Sequence, residues 1–164
     1  LMKYSLYIIA LLLVVGCSNG DKPAAPAEPV ETQVNIPFRS DGSLSFFRDE
    51  ELLRTIAIEI AEDDSSRNRG LMQRSELPAD SGMLFVFPAE AEQGFWMGNT
   101  RLALDFVWIR SSGEVHSMTK YIQPMRTETV PSNGPVQYVL ELEAGFLDSL
   151  GLIEGDQIEW SRNE

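Results

Sequence analysis

The chain has 164 residues, 43% of them hydrophobic, and carries 25 acidic against 13 basic side chains, for a net charge of −12. This length suits one domain with its own hydrophobic core. Because excess acid repels phosphate groups, the charge argues against binding of nucleic acid or anionic lipid through a general electrostatic field.

The first seventeen residues have the layout of an export signal. Lys3 precedes an apolar run over residues 4–15, and Gly16 then precedes Cys17, the only cysteine. The run is shorter than the roughly 20 residues that a spanning helix needs. A cysteine directly after the small residue is typical of a lipoprotein signal, in which the thiol receives a diacylglyceryl group. We therefore expect a signal peptide over residues 1–16 and lipidation of Cys17; an ordinary cleaved signal and an uncleaved anchor are the alternatives.

Residues 17–33 are predicted to form a tether between lipid and domain. Pro23, Pro26 and Pro29 recur every third residue among alanines and acids, which favours extended polyproline II. The expected location is extracytoplasmic, with a palmitate-bearing anchor in the membrane. Ser18 after the cysteine favours the periplasmic side of the outer membrane if the cell has two membranes.

The globular domain is expected over residues 34–164. Strands are predicted over residues 44–47, 53–61, 83–87, 95–97, 104–109, 114–122, 136–142 and 157–161, from alternating or fully apolar runs between turn residues. Helices are predicted over residues 66–77, ended by Pro78, and over residues 144–150, ended by Gly151. About eight short strands and two short helices indicate a mainly β fold, a compact β-sandwich or a partly closed barrel.

Four blocks in the middle of the chain stand out, over residues 67–74, 83–87, 95–100 and 104–105. The residues that matter in them are Arg67, Gly70, Leu71, Met72 and Arg74, then Met83, Leu84, Phe85 and Phe87, then Phe95, Trp96, Met97, Asn99 and Thr100, and finally Leu104 and Asp105. In this order they resemble the DUF192 family, also called UPF0127, over residues 53–160. The family often carries a lysine where this chain has Gly98. The resemblance implies a small, mainly β fold that is mostly secreted or membrane-attached, and it implies no activity.

Polar residues of these blocks form a candidate ligand site. Arg67 and Arg74 lie seven residues apart on the predicted first helix, and Asp105 begins a strand close to Asn99 and Thr100. An Arg–Asp pair beside amide and hydroxyl groups suits a small polar ligand. The alternative is a structural ion pair between Arg74 and Asp105. Trp96 and Trp108 are suited to stacking on a ligand, or to core packing.

A copper site is the second alternative. His116 and Met118 are two residues apart on a predicted strand and so share a face. Thioether and imidazole ligands suit Cu(I), but Met72, Met83 and Met97 also suit a core. The sequence therefore predicts no metal and no cofactor.

We expect a non-catalytic lipoprotein that binds a small polar ligand or assists an envelope protein, and that binds no nucleic acid. No serine-nucleophile, phosphate-loop or dinucleotide motif occurs. A hydrolase-like enzyme that uses a pocket of Asp105 and Arg74 remains the alternative in the enzyme class.

Overall fold

In the computed structural model, residues 35–164 are described. The predicted signal peptide, Cys17 and the tether lie outside the described residues. Seven strands form one sheet: β1 (Gly42–Arg48), β2 (Glu51–Ala61), β3 (Ser81–Phe95), β4 (Leu104–Ile109), β5 (Val115–Ile122), β6 (Val130–Glu143) and β7 (Gln157–Arg162). Two short helices accompany them, α1 (Asp64–Arg69) and α2 (Phe146–Leu150). The fold is mainly β, as predicted.

The sheet curls into a half-barrel with the order β5-β4-β6-β3-β2-β1-β7. Neighbouring strands are antiparallel except β2 and β3, which are parallel and joined through α1. The edges meet at one end, where Glu114 bridges Gln157 and the Ile158 amide donates to the Gly113 carbonyl at 2.9 Å. The partly closed barrel is therefore the form that the sheet takes.

Two hydrophobic clusters lie on opposite faces of the sheet. The inner cluster fills the curl and takes residues from every strand, including Leu44, Ile58, Leu84, Val107, Val115, Leu140 and Ile158. The outer cluster covers the other face of β3, β4 and β6, and includes Phe85, Phe106, Trp108, Val139 and, from the connecting loops, Leu71, Leu77 and Met97. The side chains of β4 and of the C-terminal half of β6 are therefore covered on both faces of the sheet.

The first helix is shorter than predicted. Asp63 caps it by accepting hydrogen bonds from the Ser65 and Ser66 amides at 2.9 Å. It ends at Arg69 because Gly70 adopts a φ of 50°, a conformation that glycine tolerates best. Residues 71–80 then run as a loop, so the helix predicted over residues 66–77 is formed at its start but was wrong in its length.

The predicted strand over residues 83–87 is confirmed as part of a longer strand, whereas the separate strand over residues 95–97 is not formed. One strand, β3, runs from Ser81 to Phe95, and Trp96 and Met97 lie beyond its end. Its pairing with β6 shifts register between Val86 and Ala91 and again between Glu92 and Gly94. Pro88 sits in the first irregular stretch, where a missing amide is tolerated. Seven strands therefore replace the expected eight.

Candidate functional site

A pocket of about 230 Å3 lies between α1 and β3, on the outer face of the sheet. We call it the α1 pocket. Arg67, Gly70, Trp96, Thr100 and Glu141 are among the residues that line it, together with the rings of Phe85, Phe87 and Phe95. Three of the six candidate ligand-binding residues from the sequence, Arg67, Trp96 and Thr100, thus share one cavity.

Aromatic rings form one wall of the α1 pocket. The Phe95 ring meets Phe85 edge-on at 4.8 Å between centroids, and it also meets Phe106 and Trp108 at 5.7 Å. These contacts fix the ring orientation, because edge-to-face pairs have a preferred geometry. Contacts within the outer cluster therefore fix this wall of the pocket.

Glu141 is the unusual residue of the pocket. It is 5% exposed, and its Oε2 atom is buried without a hydrogen-bond partner. Burial raises the pKa of its carboxyl group to about 8, against the opposing influence of the nearby Arg74 charge. A buried polar group without a partner is rare in native proteins and calls for an explanation such as a ligand or a water.

Gly70 keeps the approach to Glu141 open. A Cβ atom at this position would lie 3.2 Å from the Phe85 ring and 3.8 Å from Glu141 Oε2. Any other residue would also be strained at a φ of 50°. The glycine that ends α1 therefore also leaves space beside the carboxyl group.

Arg67 ties α1 to the pocket wall. Its guanidinium group donates to the Glu62 and Val86 carbonyl oxygens, the latter at 3.0 Å, and pairs with Asp64 at 2.6 Å. It also lies 5.4 Å from the centre of the Phe87 ring. Its donors and its positive charge are thus largely occupied within the protein.

The proposed Arg74–Asp105 pair is wrong. Arg74 forms a buried, two-pronged ion pair with Glu59, with Nη1–Oε1 at 2.6 Å and Nη2–Oε2 at 2.8 Å. Its partner lies on β2 because the loop after α1 carries Arg74 back over that strand. Arg67 and Arg74 do not share a helix, since α1 ends between them.

Asp105 lies on the opposite face of the sheet. It stands in register with Leu142 of the inner cluster, whereas its neighbour Phe106 stands in register with Glu141. Its carboxylate accepts the amides of Tyr121, Gly145 and Leu147 at 2.8, 2.9 and 3.2 Å. A shared pocket of Asp105 and Arg74 is therefore not formed, and the enzyme hypothesis that used it has no geometric basis.

Of the candidate ligand-binding residues in the turn after β3, Trp96 and Thr100 line the α1 pocket and Asn99 does not. Trp96 is 53% exposed at the pocket rim, and Thr100 is buried. Asn99 is exposed with a φ of 57°, and its carbonyl accepts the Gln73 amide at 3.1 Å, so it shapes the turn rather than the pocket. Trp108 is fully buried and donates to Thr119 at 3.1 Å, as core packing predicts.

His116 and Met118 do not form a pair on one face. A register shift in β5 places Val115 opposite Ile109 and Ser117 opposite Trp108, which leaves His116 as the extra residue of a bulge. Its ring contacts Arg110 at 2.9 Å, while Met118 packs against the inner cluster. Among residues 35–164, no three histidine, cysteine or acidic side chains are grouped to hold a metal ion.

Sequence analysis missed Glu141 and Glu59. Both acids lie near the C-terminal ends of their strands, on the outer face, where Glu59 is in register with Met83 and Met83 with Glu141. A charged residue within an apolar strand, such as Glu141 between Leu140 and Leu142, was the available signal.

Within the described part of the chain, no helix is long and apolar enough to cross a bilayer.

A second cavity, of about 360 Å3, is larger but less distinctive. It opens toward the inner cluster beside Tyr138, Ile158 and Trp160. None of the residues that line it contributes a buried side-chain oxygen or nitrogen without a partner; among residues 35–164, only Arg74 and Glu141 do so. The α1 pocket is therefore the better candidate.

Comparison with known proteins identifies the family. The DUF192 family, described as Uncharacterized ACR (COG1430), matches residues 46–160. The UPF0127 protein PF1050 of Pyrococcus furiosus is 30% identical over 112 residues, which cover 65% of this chain and 89% of that protein.

Two proteins of known crystal structure have a fold similar to that of this chain. One, a proposed transcription regulator from Sinorhizobium meliloti 1021, is 33% identical with a TM-score of 0.70 and covers 77% of this chain and 96% of its own. The other, a protein of unknown function from Novosphingobium aromaticivorans DSM 12444, is 27% identical with a TM-score of 0.68 and covers 89% of this chain and 100% of its own. With the family match over residues 46–160, the chain belongs to the DUF192 (UPF0127) family.

Proposed function

We propose that the domain is a non-catalytic module that binds a small ligand in the α1 pocket. The observation that carries this proposal is the buried carboxyl group of Glu141, which borders a cavity and has no hydrogen-bond partner for Oε2. A ligand that fills the cavity and bonds this oxygen removes the cost of an unsatisfied buried group. Arg67 and the aromatic wall are already fixed by contacts within the protein, so the pocket is preformed.

The pocket size limits the ligand. A cavity of about 230 Å3 is smaller than the pockets of roughly 300–1,000 Å3 that bury drug-sized molecules. It suits a compact molecule with one ring or a short chain. Nucleic acid is not part of the proposal, although the Sinorhizobium neighbour is described as a proposed regulator of transcription, because a net charge of −12 opposes contact with phosphates.

Co-purification tests ligand binding. The full chain is purified, denatured and extracted, and the extract is analysed by mass spectrometry for enriched small molecules. Glu141→Gln removes the carboxyl group, and Glu143→Gln makes the same change on an exposed residue of the same strand. We expect a compound in the wild type and in Glu143→Gln that Glu141→Gln lacks. An identical set of compounds in all three proteins contradicts the proposal.

We also propose that the chain is a lipoprotein, anchored through Cys17 and facing the extracytoplasmic space, where it binds its ligand or assists an envelope protein. The support is the order of Lys3, the apolar run and Gly16 before the only cysteine. Two acyl chains on one residue are enough for stable anchoring.

Replacement of the cysteine tests the anchor. We expect Cys17→Ser to abolish membrane retention and leave the domain folded, because residues 35–164 contain their own hydrophobic clusters. Metabolic labelling with palmitate and membrane fractionation measure the two effects, with Ser18→Ala as the control substitution. Label that still enters Cys17→Ser contradicts lipidation at this residue.

A further inference from the structure

We propose that the ligand of the α1 pocket carries a cationic nitrogen, as in a protonated amine on a compact apolar body, and that this nitrogen binds the Glu141 carboxylate beside the aromatic wall. This inference rests on the proposed function and adds the chemical class of the ligand. It is carried by an unpartnered buried acid, by rings that line the same cavity, and by the salt bridges that Arg67 and Arg74 form with acids other than Glu141.

The first step concerns charge around Glu141. Arg74 is committed to Glu59 through two bonds of 2.6 and 2.8 Å, and no salt bridge joins it to Glu141 within residues 35–164. Arg67 is committed to Asp64 and to two carbonyl oxygens. Arg74 lowers the pKa of Glu141 only against the larger effect of burial, its Nε atom has no hydrogen-bond partner in the described part of the chain, and Arg69, which also lines the pocket, is exposed to solvent. Within residues 35–164 an ionised Glu141 therefore has no salt bridge, which favours a ligand that brings a cation.

The second step concerns the aromatic wall. The faces of aromatic rings attract cations and repel anions, because the ring quadrupole is negative above its plane. Phe85, Phe95 and Trp96 line the cavity that Glu141 borders, and Trp96 is exposed at the rim. A wall of rings with one buried acid favours an organic cation over an anion of the same size.

The third step is the proton balance. Near neutral pH Glu141 holds a proton, since burial raises its pKa to about 8. When a protonated amine binds, the Glu141 O–H bond breaks, the carboxylate pairs with the ammonium group, and the proton passes to the buffer. Of the other charged groups, Asp64, Arg67 and Arg69 of α1 line the pocket, while Arg74 of the following loop, which is paired with Glu59 of β2, acts on Glu141 through its charge; the lining includes no histidine.

Three probes of one shape test the inference: benzylamine, benzyl alcohol and benzoate, which are cationic, neutral and anionic near neutral pH. Isothermal titration calorimetry of the full chain measures each affinity, in two buffers with different ionisation enthalpies. We expect benzylamine to bind at least about tenfold more tightly than either other probe, which is about 1.4 kcal/mol. We also expect it to release close to one proton near pH 6.5 and distinctly less near pH 8.5.

Variants distinguish binding through Glu141 from nonspecific binding of the probes. We expect Glu141→Gln to lose the preference for benzylamine and the proton release, and Glu143→Gln to keep both. Tighter binding of benzoate or benzyl alcohol through Glu141 overturns the cation inference and leaves the ligand-binding proposal intact. Failure of all three probes on the wild type also overturns the inference, while the co-purification experiment separately decides the proposed function.

Discussion

Arg74, in the loop that follows α1, forms a two-pronged ion pair with Glu59, in which Nη1 donates to Oε1 at 2.6 Å and Nη2 donates to Oε2 at 2.8 Å. Glu59 also accepts the Arg39 amide at 2.8 Å. The pair therefore connects β2, the chain before β1 and the loop that covers the outer cluster. Because Arg74 pairs with Glu59, it forms no salt bridge with Glu141 in the α1 pocket.

We predict that Glu59→Gln destabilises the domain by about 3–5 kcal/mol, because it leaves a buried arginine without its counter-ion. Chemical denaturation measures the free energy of unfolding. Asp80→Asn is the matched control, since Asp80 is 59% exposed in its pair with Arg54 and should change stability by no more than about 0.5 kcal/mol. Equal, small effects of the two variants contradict the structural role of the buried pair.

We predict that Asp105→Asn destabilises the domain by about 2–4 kcal/mol, through lost backbone contacts rather than a stranded arginine. The carboxylate accepts three amides that hold β5 and the start of α2, and an amide group cannot accept all three. Hydrogen exchange at the Tyr121, Gly145 and Leu147 amides locates the effect, with Asp80→Asn, at an exposed residue far along the chain, as the control. Unchanged protection at these amides contradicts the prediction.

We predict that Glu141 makes stability fall as pH rises. Between about pH 4.5 and 8 the folded state keeps a proton on Glu141 that the unfolded chain releases, so the stability present at low pH is lost across this window. The loss is at most about 5 kcal/mol. Denaturation of wild type and Glu141→Gln at several pH values measures the difference, which should level off above about pH 8. A difference that does not vary with pH contradicts the prediction.

We predict that Gly98→Ala moves the Trp96 side chain with little effect on stability. A Cβ atom at residue 98 would lie 2.5, 2.6 and 2.8 Å from three atoms of the Trp96 ring. The ring is the exposed end of a side chain, so it can move, and we expect a cost below about 1 kcal/mol.

Indole N–H signals in NMR spectra measure the movement. The chain has three tryptophans, and Trp96→Phe assigns the signal of interest. We expect Gly98→Ala to shift the Trp96 signal and to leave those of Trp108 and Trp160 in place. A spectrum with all three signals unchanged shows that the ring does not rest on Gly98.

Local patterns predicted most of the strands, and long-range pairing accounts for what they missed. The alternation around Ile56 and Ile58 and the apolar run at Leu84 are patterns of neighbouring residues, so they predict β2 and part of β3 from the sequence alone. The pairing of Arg74 with Glu59 depends on how the chain returns over β2 after Gly70, which local sequence does not contain. Asp105 was misplaced for the same reason: strand register, not proximity in sequence, decides which face of the sheet a residue occupies.

The meeting of the two sheet edges has a consequence for self-association. Open edges of a sheet are templates on which other copies of a chain can add strands and aggregate. Here the residues around Gly113 and Ile158 bond to each other, and a Cβ atom at Gly113 would lie 2.5 Å from the Ile158 carbonyl oxygen. The glycine therefore lets the two edges bond to each other at this end, and the bonded part of each edge is not available to a strand from another copy.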